Sequence, residues 1–444
     1  MDLNNIFFEK RNKTRNYLHF DKKISSEKLY DYISNSENIE KHSFYPFISY
    51  KLNERKIKNK NGNLTVNNKE RLINYPSHID SNIYAYYSKK IEEKYEIFLK
   101  SNGLHNNVLA FRKVITEING EKVSQCNIHF SKNVFDEITS RKDCLVICLD
   151  ISKFFDNLNH AILKRQLEKI LDLDSEKLPN HYYKVYKSLT KYSYVDKKLL
   201  YKNLGLSINS KKKNGKDRLC TVQEFRDKVR AQNLIKKNLK NKGIPQGSPI
   251  SGIFSNIYMS DFDKNISDKL KEINGTYFRY CDDMLFIINE SEEKIIMNYL
   301  LKEISKLNLN VNQSKTQIIK FVSGKVDKNH GVTGFRNPDK LQYLGILFDG
   351  EDFFLRETGI SKYYHKMRKA IRMRASHFNK LKSDNRITSQ KMYMRNLYKR
   401  FTYIGNRNYI SYVYRANKVF NGNLNRKIRG HYSIFNDYLN KKII

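Results

Sequence analysis

The sequence predicts an α+β fold in which strands carry acidic side chains and helices form most of the remainder. Residues 278–288 place Asp282 and Asp283 between two apolar runs of strand-forming residues. A second apolar run, 144–149, has the length of a buried strand and ends on Asp150. Residues 361–444 mix apolar, tyrosine and basic residues at helical spacings. Together these patterns predict an antiparallel sheet that carries the acids, with helices behind it.

The acidic pair is expected at a tight connection between two antiparallel strands. Two neighbouring carboxylates between buried strands repel each other, so a cation is their natural partner. Asp is also common in turns, and an ordinary polar hairpin is the alternative. The pair alone does not decide between these interpretations.

The charge of the chain points to a polyanionic partner. The formal net charge is +37 over 444 residues, and nucleic acid is the partner that best explains it. Abundant Asn, Ile and Tyr suggest an AT-rich genome that inflates the Lys content. Codon bias does not explain residues 361–444, which hold 21 Lys and Arg against only Asp384 and Asp437.

The sequence favours neither membrane insertion, nor disulfides, nor a zinc site. No apolar run approaches the roughly 20 residues of a membrane span, and the N-terminal segment carries charges where a signal peptide is apolar. The five cysteines are odd in number and lack C-x-x-C spacing. We therefore expect a cytoplasmic protein with no membrane partner.

Three further segments have a predicted structure. Residues 1–60 are expected to be helical and polar, and residues 108–116 to form an apolar strand interrupted by Arg112 and Lys113. Residues 243–249 (GIPQGSP) contain two Gly and two Pro, which fix a backbone able to approach another backbone or a base closely. A helix follows that loop, and its free N–H groups suit phosphate.

Asp150, the 243–249 loop and the acidic pair at 282–283 fall in one order along the chain. Two-metal phosphoryl transfer needs carboxylates from separated strands that hold cations about 4 Å apart. Such a set of acids repels strongly without a cation. The three features therefore predict a two-metal site for phosphoryl transfer.

This order resembles the reverse transcriptases motif by motif. Residues 150–156 (DISKFFD) look like the first palm motif of that family, and 243–249 look like the second motif in its group II intron and bacterial form. Residues 280–283 (YCDD) match the Y-x-D-D box. The resemblance covers roughly residues 60–350. It implies a right-hand polymerase with fingers, palm and helical thumb that makes DNA on an RNA template.

The resemblance also assigns the metal ligands. It makes Asp150, Asp282 and Asp283 the catalytic acids that hold two Mg²⁺ ions, with Mn²⁺ as the alternative ion. The backbone carbonyl of Ile151 is a further ligand by the same resemblance.

Phe155 lies five residues after Asp150 and matches the ribose gate of the family, which implies deoxynucleotide substrates; core packing is the alternative. Lys315 resembles a lysine that protonates the departing pyrophosphate, and an ordinary surface lysine is the alternative. The residues that the resemblance assigns to dNTP binding are Lys69, Arg71, Phe155, Gln246, Gly247 and Lys315.

Tyr343 and Gly345 lie in a segment that resembles the primer grip. The basic C-terminal helices suit phosphate neutralisation and base stacking, whereas a helical bundle with solvated basic faces is the alternative. The residues expected to contact nucleic acid are Arg112, Pro245, Ser248, Tyr343, Gly345, Lys366, Arg368, Arg372, Lys399 and Arg400.

The expected domains are N-terminal helices and fingers (1–140), a palm (141–350) with an excursion near 165–240, and a basic helical thumb that binds RNA (351–444). We expect no ribonuclease H, integrase or endonuclease domain after the palm. Segments 75–80, 109–112 and 127–130 look like the stand-alone bacterial reverse transcriptases of antiphage defence. That resemblance implies a structured non-coding RNA as template and scaffold, with dNTPs and a DNA product.

Three alternatives stay open at this stage. One is an untemplated, protein-primed DNA polymerase of the abortive-infection kind, and another is a retron-type reverse transcriptase. The third is a non-catalytic RNA-binding scaffold. The sequence leaves the oligomeric state open.

Overall fold

The computed structural model describes residues 17–23, 26–60, 63–118, 120–173, 177–208, 217–330, 335, 337–386 and 392–443. For residues 26–28, 54–60, 63–69, 118, 121 and 443 it describes the backbone alone. Among the described residues, no helix is both long and apolar enough to cross a bilayer.

The N-terminal part combines helices with one long hairpin. Its elements are α1 (Ser26–Ser34), α2 (Ser36–Lys41), β1 (Phe47–Lys60), β2 (Asn63–Tyr75), α3 (His78–Ser101), β3 (Ile115–Ile118), β4 (Glu121–Ser124) and α4 (Asn127–Arg141). The prediction of helix over 1–60 is wrong from Phe47 onward. β1 instead pairs with β2 in an unbroken antiparallel register, which satisfies the backbone of this polar stretch.

The middle of the chain carries the strands that end on acids. In order these are β5 (Cys144–Asp150), α5 (Phe154–Asn157), α6 (His160–Ile170), α7 (Asn180–Thr190), β6 (Ser193–Asp196), α8 (Lys197–Asn203), α9 (Val222–Phe225), β7 (Lys236–Lys237), α10 (Ser251–Tyr258), α11 (Ser260–Glu272), β8 (Thr276–Tyr280), β9 (Asp283–Ile288) and α12 (Glu293–Lys306). The predicted strand at 144–149 and the predicted hairpin at 278–288 are both confirmed.

The remaining elements are short strands followed by helices. They are β10 (Gln317–Val322), β11 (Lys325–Val326), β12 (Leu341–Tyr343), β13 (Ile346–Phe348), β14 (Phe353–Leu355), α13 (Glu357–Ser383), α14 (Arg395–Phe401), α15 (Tyr409–Phe420) and α16 (His431–Ile443). The prediction of helices over 361–444 is confirmed for the described residues.

The strands form sheets of several sizes. One four-stranded sheet has the order β2-β1-β6-β7, and a five-stranded sheet has the order β11-β10-β5-β9-β8. Strands β12-β13-β14 form a third sheet, and β3-β4 form a two-stranded one. Strand β5 lies at the centre of the five-stranded sheet and is mostly buried, as a central strand should be. The predicted α+β class is confirmed.

The chain forms two compact units, each built from separate stretches. The first unit comprises residues 1–112, 149–284 and 294–312, and the second comprises 113–148, 285–293 and 313–444. The division into fingers, palm and thumb stays a prediction.

Each unit has its own apolar core. In the first, an apolar cluster forms under the start of β1 around Phe20, Ile48 and Val195. In the second, the rings of Phe135 and Phe348 stack 4.9 Å apart between centroids, and Phe353 lies 5.1 Å from Phe348. Aromatic pairs at these distances add attraction beyond the area that they bury.

Candidate active site

The acidic pair lies at a two-residue turn between β8 and β9. Cys281 and Asp282 connect the strands, and Asp283 is the first residue of β9. Asp282 is half-buried and Asp283 is exposed. A connection this short joins antiparallel strands, so the turn presents both carboxylates at one end of the hairpin.

Asp150 lies at the end of the neighbouring strand. Strand β5 is hydrogen-bonded to β9 in the five-stranded sheet, and Asp150 is its last residue. Residues 149–150 and 283–284, the end of β5 and the start of β9, belong to the same compact unit as Asp282. The structure therefore places all three predicted acids in one unit, at the ends of adjacent strands.

The Ile151 carbonyl lies next to this end of β5. Ile151 forms an isolated antiparallel bridge with Val311. The hydrogen bonds of this bridge use the Asp150 carbonyl, which accepts from Asn312 N–H at 2.7 Å, and the Ser152 N–H, which donates to Asn310. The bridge thus fixes the backbone around Ile151 without using the Ile151 carbonyl.

The donor set fits a hard divalent cation. Carboxylate and carbonyl oxygens are the ligands that Mg²⁺ prefers, and Mg²⁺ is usually held by one or two carboxylates plus substrate phosphates. Among the described residues, no group of three or more His, Cys, Asp or Glu side chains is arranged to hold a metal by itself. A metal ion that is coordinated partly by these acids and partly by the phosphates of a substrate agrees with the preference of Mg²⁺ and with the absence of such a group among the described residues.

Cys281 has a backbone conformation that most residues avoid. Its φ is +62°, and its side chain is 7% exposed. Burial raises the pKa of the Cys281 thiol, and the neighbouring Asp282 carboxylate raises it further. The thiol therefore stays neutral at physiological pH. Because the thiolate is the form that binds metals, Cys281 packs at the turn and is not expected to be a metal ligand.

The 243–249 loop is held against β2 and against the segment after β5. The Asn74 N–H donates to the Gln246 carbonyl at 2.8 Å, and the Ile244 N–H donates to the Phe155 carbonyl at 3.0 Å. Gly247 has φ +119°, and a Cβ there would lie 2.7 Å from the Asn74 carbonyl oxygen. Only glycine allows the loop to approach β2 this closely.

A cavity of about 470 Å³ opens beside this loop in the first unit. Phe155 lines it, half-buried, with its ring 6.4 Å from that of Phe111 between centroids. The adjacent Phe154 is the one that packs into the core, at 3% exposure. The cavity is lined by Tyr17, Tyr75, Pro76, Phe111, Phe155, Gln246, Gly247, Ser248, Pro249, Ser251 and Gly252.

The other residues predicted to bind nucleotide or template differ in how far they are exposed to solvent. Pro245 is buried, and its carbonyl accepts a hydrogen bond from the Ser251 hydroxyl at 2.7 Å. Arg71 lies half-buried on β2. Lys69 is on the same strand, and its side chain lies outside the described part of the chain. Lys315 is exposed on a short helical turn of the second unit.

The structure gives Arg112 a different role from the predicted one. Its side chain is 0% exposed and pairs with both carboxylate oxygens of Glu96, at 2.7 and 2.5 Å. It also donates to the carbonyls of His105 and Val108. A guanidinium enclosed in this way has no surface for nucleic acid, so Arg112 is structural. The predicted strand at 108–116 is also wrong before Ile115, because Phe111 has φ +59° and breaks the extended backbone.

The remaining candidates lie in the second unit. Tyr343 is 4% exposed on β12, and the turn to β13 consists of Leu344 and Gly345, both with positive φ. The Asn127 amide donates to the Leu344 carbonyl at 3.1 Å and holds this turn. The predicted basic residues on α13 and α14 are all exposed: Lys366, Arg368, Arg372, Lys399 and Arg400.

Sequence reasoning missed one buried ion pair near the acids. Arg279, on β8, pairs with Asp263 of α11, and both side chains are 0% exposed. Burial by itself lowers the pKa of Arg279, but the Asp263 carboxylate raises it overall and keeps the guanidinium charged. The sequence of β8 could have indicated this pair. Tyr277 and Arg279 share the inward face of the strand, and a buried arginine needs an acidic partner.

The chain is similar to known polymerases in sequence and in structure. The family model described as "Reverse transcriptase (RNA-dependent DNA polymerase)" matches residues 57–348. Telomerase from Candida tropicalis, truncated from its C-terminal domain, is 16% identical with a TM-score of 0.39, over 69% of this chain and 57% of that one. Telomerase from Candida albicans in complex with a fragment of telomeric RNA is 12% identical with a TM-score of 0.37, over 73% and 49%. The chain thus spans about half the length of these telomerases. The family match covers more than half of the chain, and the chain therefore belongs to the reverse transcriptase family.

Proposed function

We propose that this protein is an RNA-directed DNA polymerase that extends a primer by two-metal nucleotidyl transfer. The observation that carries the proposal is the placement of Asp150, Asp282 and Asp283 at the ends of adjacent strands, in a unit that also holds a nucleotide-sized cavity. Membership of the family supports it.

In this proposal the three aspartates and the Ile151 carbonyl hold two Mg²⁺ ions, with Mn²⁺ as the alternative. Bound there, such ions would supply a lower pKa for the attacking 3′-hydroxyl and charge stabilisation for the leaving oxygen. Gln246 and Gly247 lie against the template and the incoming nucleotide, and Phe155 excludes a 2′-hydroxyl. Lys69 and Arg71 neutralise the triphosphate.

A groove on the second unit supports contact with nucleic acid. It lies between α13 and α16, and we call it the α13–α16 groove. Arg368 and Arg372 are exposed along one face of α13, and the Arg368 guanidinium lies 5.9 Å from the centre of the Tyr438 ring. Two guanidinium groups beside hydroxyl and aromatic groups suit phosphates and stacked bases. The groove is lined by Ser361, Tyr364, His365, Arg368, Arg372 and Tyr438.

We further propose that the enzyme copies a structured non-coding RNA in the cytoplasm of a bacterium, as part of antiviral defence. The resemblance of segments 75–80, 109–112 and 127–130 to antiphage reverse transcriptases supports this role. So does the excess of basic residues after residue 361. Sequencing the RNA and DNA that co-purify with the protein would name the template. A bound RNA population with no matching DNA would contradict the copying role.

Primer extension tests the activity directly. The purified protein, freed of nucleic acid by nuclease, is given poly(rA)·oligo(dT), Mg²⁺ and labelled dTTP. We expect extension that EDTA abolishes and that the variant Asp282→Ala with Asp283→Ala lacks. The exposed acid Asp268 lies in the same unit, and Asp268→Ala is the matched control that should retain activity. DNA made without template and covalently attached to the protein would instead identify the protein-primed polymerase.

Phage challenge tests the biological role. Cells that carry the gene should lose protection when Asp282 and Asp283 are both changed to Ala. Protection that survives this change would show that polymerisation is not what defends the cell, and would favour an RNA-binding scaffold.

A further inference from the structure

The buried side chain of Arg279 lies two residues before the connection that carries the acids. It is on β8, one residue from Tyr280, and it is 0% exposed. Taking a guanidinium out of water is costly unless its donors are matched by acceptors. The hydrogen-bond partners of the Arg279 guanidinium therefore indicate which part of the structure it stabilises.

One side of the guanidinium meets a carboxylate. Nε and Nη2 of Arg279 donate to the two carboxylate oxygens of Asp263 at 2.7 and 2.5 Å. The Tyr277 hydroxyl donates to the same carboxylate at 2.8 Å. This two-pronged contact fixes the plane and position of the guanidinium.

The other side meets the acid turn itself. Nη1 of Arg279 donates to the Cys281 carbonyl at 3.2 Å and to the Asn256 amide oxygen at 3.1 Å. The Cys281 backbone has φ +62°, and a residue that is not glycine holds such a conformation only where its surroundings enforce it. The fixed guanidinium supplies that enforcement at the peptide that leads into Asp282.

Asn256 extends the same network to the cavity and the loop. Its amide donates to the Ala110 carbonyl at 2.8 Å, next to Phe111 in the cavity wall. Asn256 also lies on α10, whose first residue Ser251 holds the Pro245 carbonyl of the loop. One buried cluster thus joins the acid turn, the cavity wall and the helix that follows the loop.

We propose that Arg279, Asp263 and Asn256 are positioning residues that hold the acid turn in the conformation needed to bind divalent metal. The proposal rests on the proposed polymerase function. All three residues are 0% exposed, so they act through the residues that they hold. Through the Cys281 carbonyl they set where the Asp282 and Asp283 carboxylates lie relative to Asp150.

Two substitutions separate positioning from folding. Arg279→Lys keeps a charge opposite Asp263 but loses the planar fork that also reaches the Cys281 carbonyl. Arg279→Met with Asp263→Leu removes both buried charges, and such replacements often preserve stability. The matched control is Asp261→Asn on the same helix, because Asp261 pairs with Lys169 and has no bond to Arg279.

Single-nucleotide incorporation on poly(rA)·oligo(dT) and Mn²⁺ binding by electron paramagnetic resonance are the measurements. For both variants we expect kcat to fall about 10- to 100-fold, since groups that orient metal ligands have effects of this size. The KM for dTTP should change less than about threefold, and Mn²⁺ affinity should fall by about tenfold or more. Asp261→Asn should match the unsubstituted protein.

Circular dichroism and thermal unfolding give the folded fraction of each variant. Full kcat and Mn²⁺ affinity per folded molecule in both variants would overturn the positioning role and leave the polymerase proposal intact. An unsubstituted protein that extends no primer would overturn the polymerase proposal. In that case the Mn²⁺ affinities still decide whether Arg279 positions the acids.

Discussion

The backbone N–H of Asn74 donates to the carbonyl of Gln246 at 2.8 Å, so the middle of the 243–249 loop lies directly against the end of β2. The Ser49 hydroxyl on β1 donates in turn to the Asn74 amide oxygen, also from a buried position. The long β1–β2 hairpin and the loop are thereby joined at the wall of the cavity.

Gly247→Ala should disrupt this contact. The added Cβ would lie 2.7 Å from the Asn74 carbonyl oxygen, closer than the atoms can approach, and φ +119° strains any larger residue. We expect the KM for dTTP in primer extension to rise by about tenfold or more, with a stability loss of about 1–3 kcal/mol. Gly205→Ala is the control, because Gly205 also has positive φ and nothing lies within 4 Å of its added Cβ. Equal effects at both positions would assign the change to backbone strain alone.

Phe155→Ala should relax the choice of sugar. In the proposed function the Phe155 ring excludes a 2′-hydroxyl, and its removal enlarges the cavity beside Phe111. We expect incorporation of UTP relative to dTTP to rise about 10- to 200-fold, the range for one steric contact in a pocket. Phe155→Tyr keeps the bulk and should keep the discrimination. Unchanged sugar selectivity in the alanine variant would remove Phe155 from the nucleotide site.

Loss of the Arg112–Glu96 pair should affect stability and leave nucleic-acid binding unchanged. Arg112→Gln leaves Glu96 without its partner in a partly buried position, and we expect a loss of about 3 kcal/mol in urea unfolding. Affinity for poly(rA), measured per folded molecule by fluorescence anisotropy, should stay the same. The contrasting variant is Arg368→Gln, whose exposed side chain lines the α13–α16 groove. It should weaken binding and reduce its salt dependence without changing stability. The reverse pattern would restore Arg112 as a binding residue.

His19 should make the protein less stable in mild acid. Burial, with a smaller contribution from His78 nearby, lowers the pKa of His19 from 6.5 to about 3. Between pH 6.5 and about 3, His19 is protonated in the unfolded chain and neutral in the folded protein. The free energy of unfolding therefore falls as the pH falls below about 6.5. The slope from this group is about 1.4 kcal/mol per pH unit at most. His19→Phe should flatten the pH dependence between pH 4 and 6.5, measured by urea unfolding. An unchanged slope would place the acid sensitivity elsewhere.

The strands that carry the acids could be predicted because their residues obey local rules. Residues 144–149 are continuously apolar, and the acidic pair is bounded by strand-forming residues, so length and pattern suffice. The strand β1 is harder to recognise in this way. Apolar and polar residues alternate only over 48–53 (ISYKLN), and the mostly polar stretch that follows is paired with β2 along its whole length.

Partners distant in sequence explain what was missed at the site. Arg112 looks like an exposed phosphate ligand until Glu96, sixteen residues earlier, is seen to enclose it. Arg279 meets Asp263 and Asn256 only after α10, α11 and β8 have packed together. Local pattern locates the acids at the strand ends, whereas tertiary packing decides which other charged side chains are buried in ion pairs.

The separate stretches of the two units have a consequence for synthesis on the ribosome. The first unit lacks its last stretch until residue 312 has been made, although its first stretch ends at residue 112. At roughly 5–20 residues per second, translation takes roughly 10–40 s to cover the interval. During this time the apolar faces of the early helices and of the β1–β2 hairpin stay exposed to solvent, because the later stretches of the first unit that cover them have not yet been made. Newly made chains should therefore engage chaperones for longer than chains whose domains are continuous in sequence.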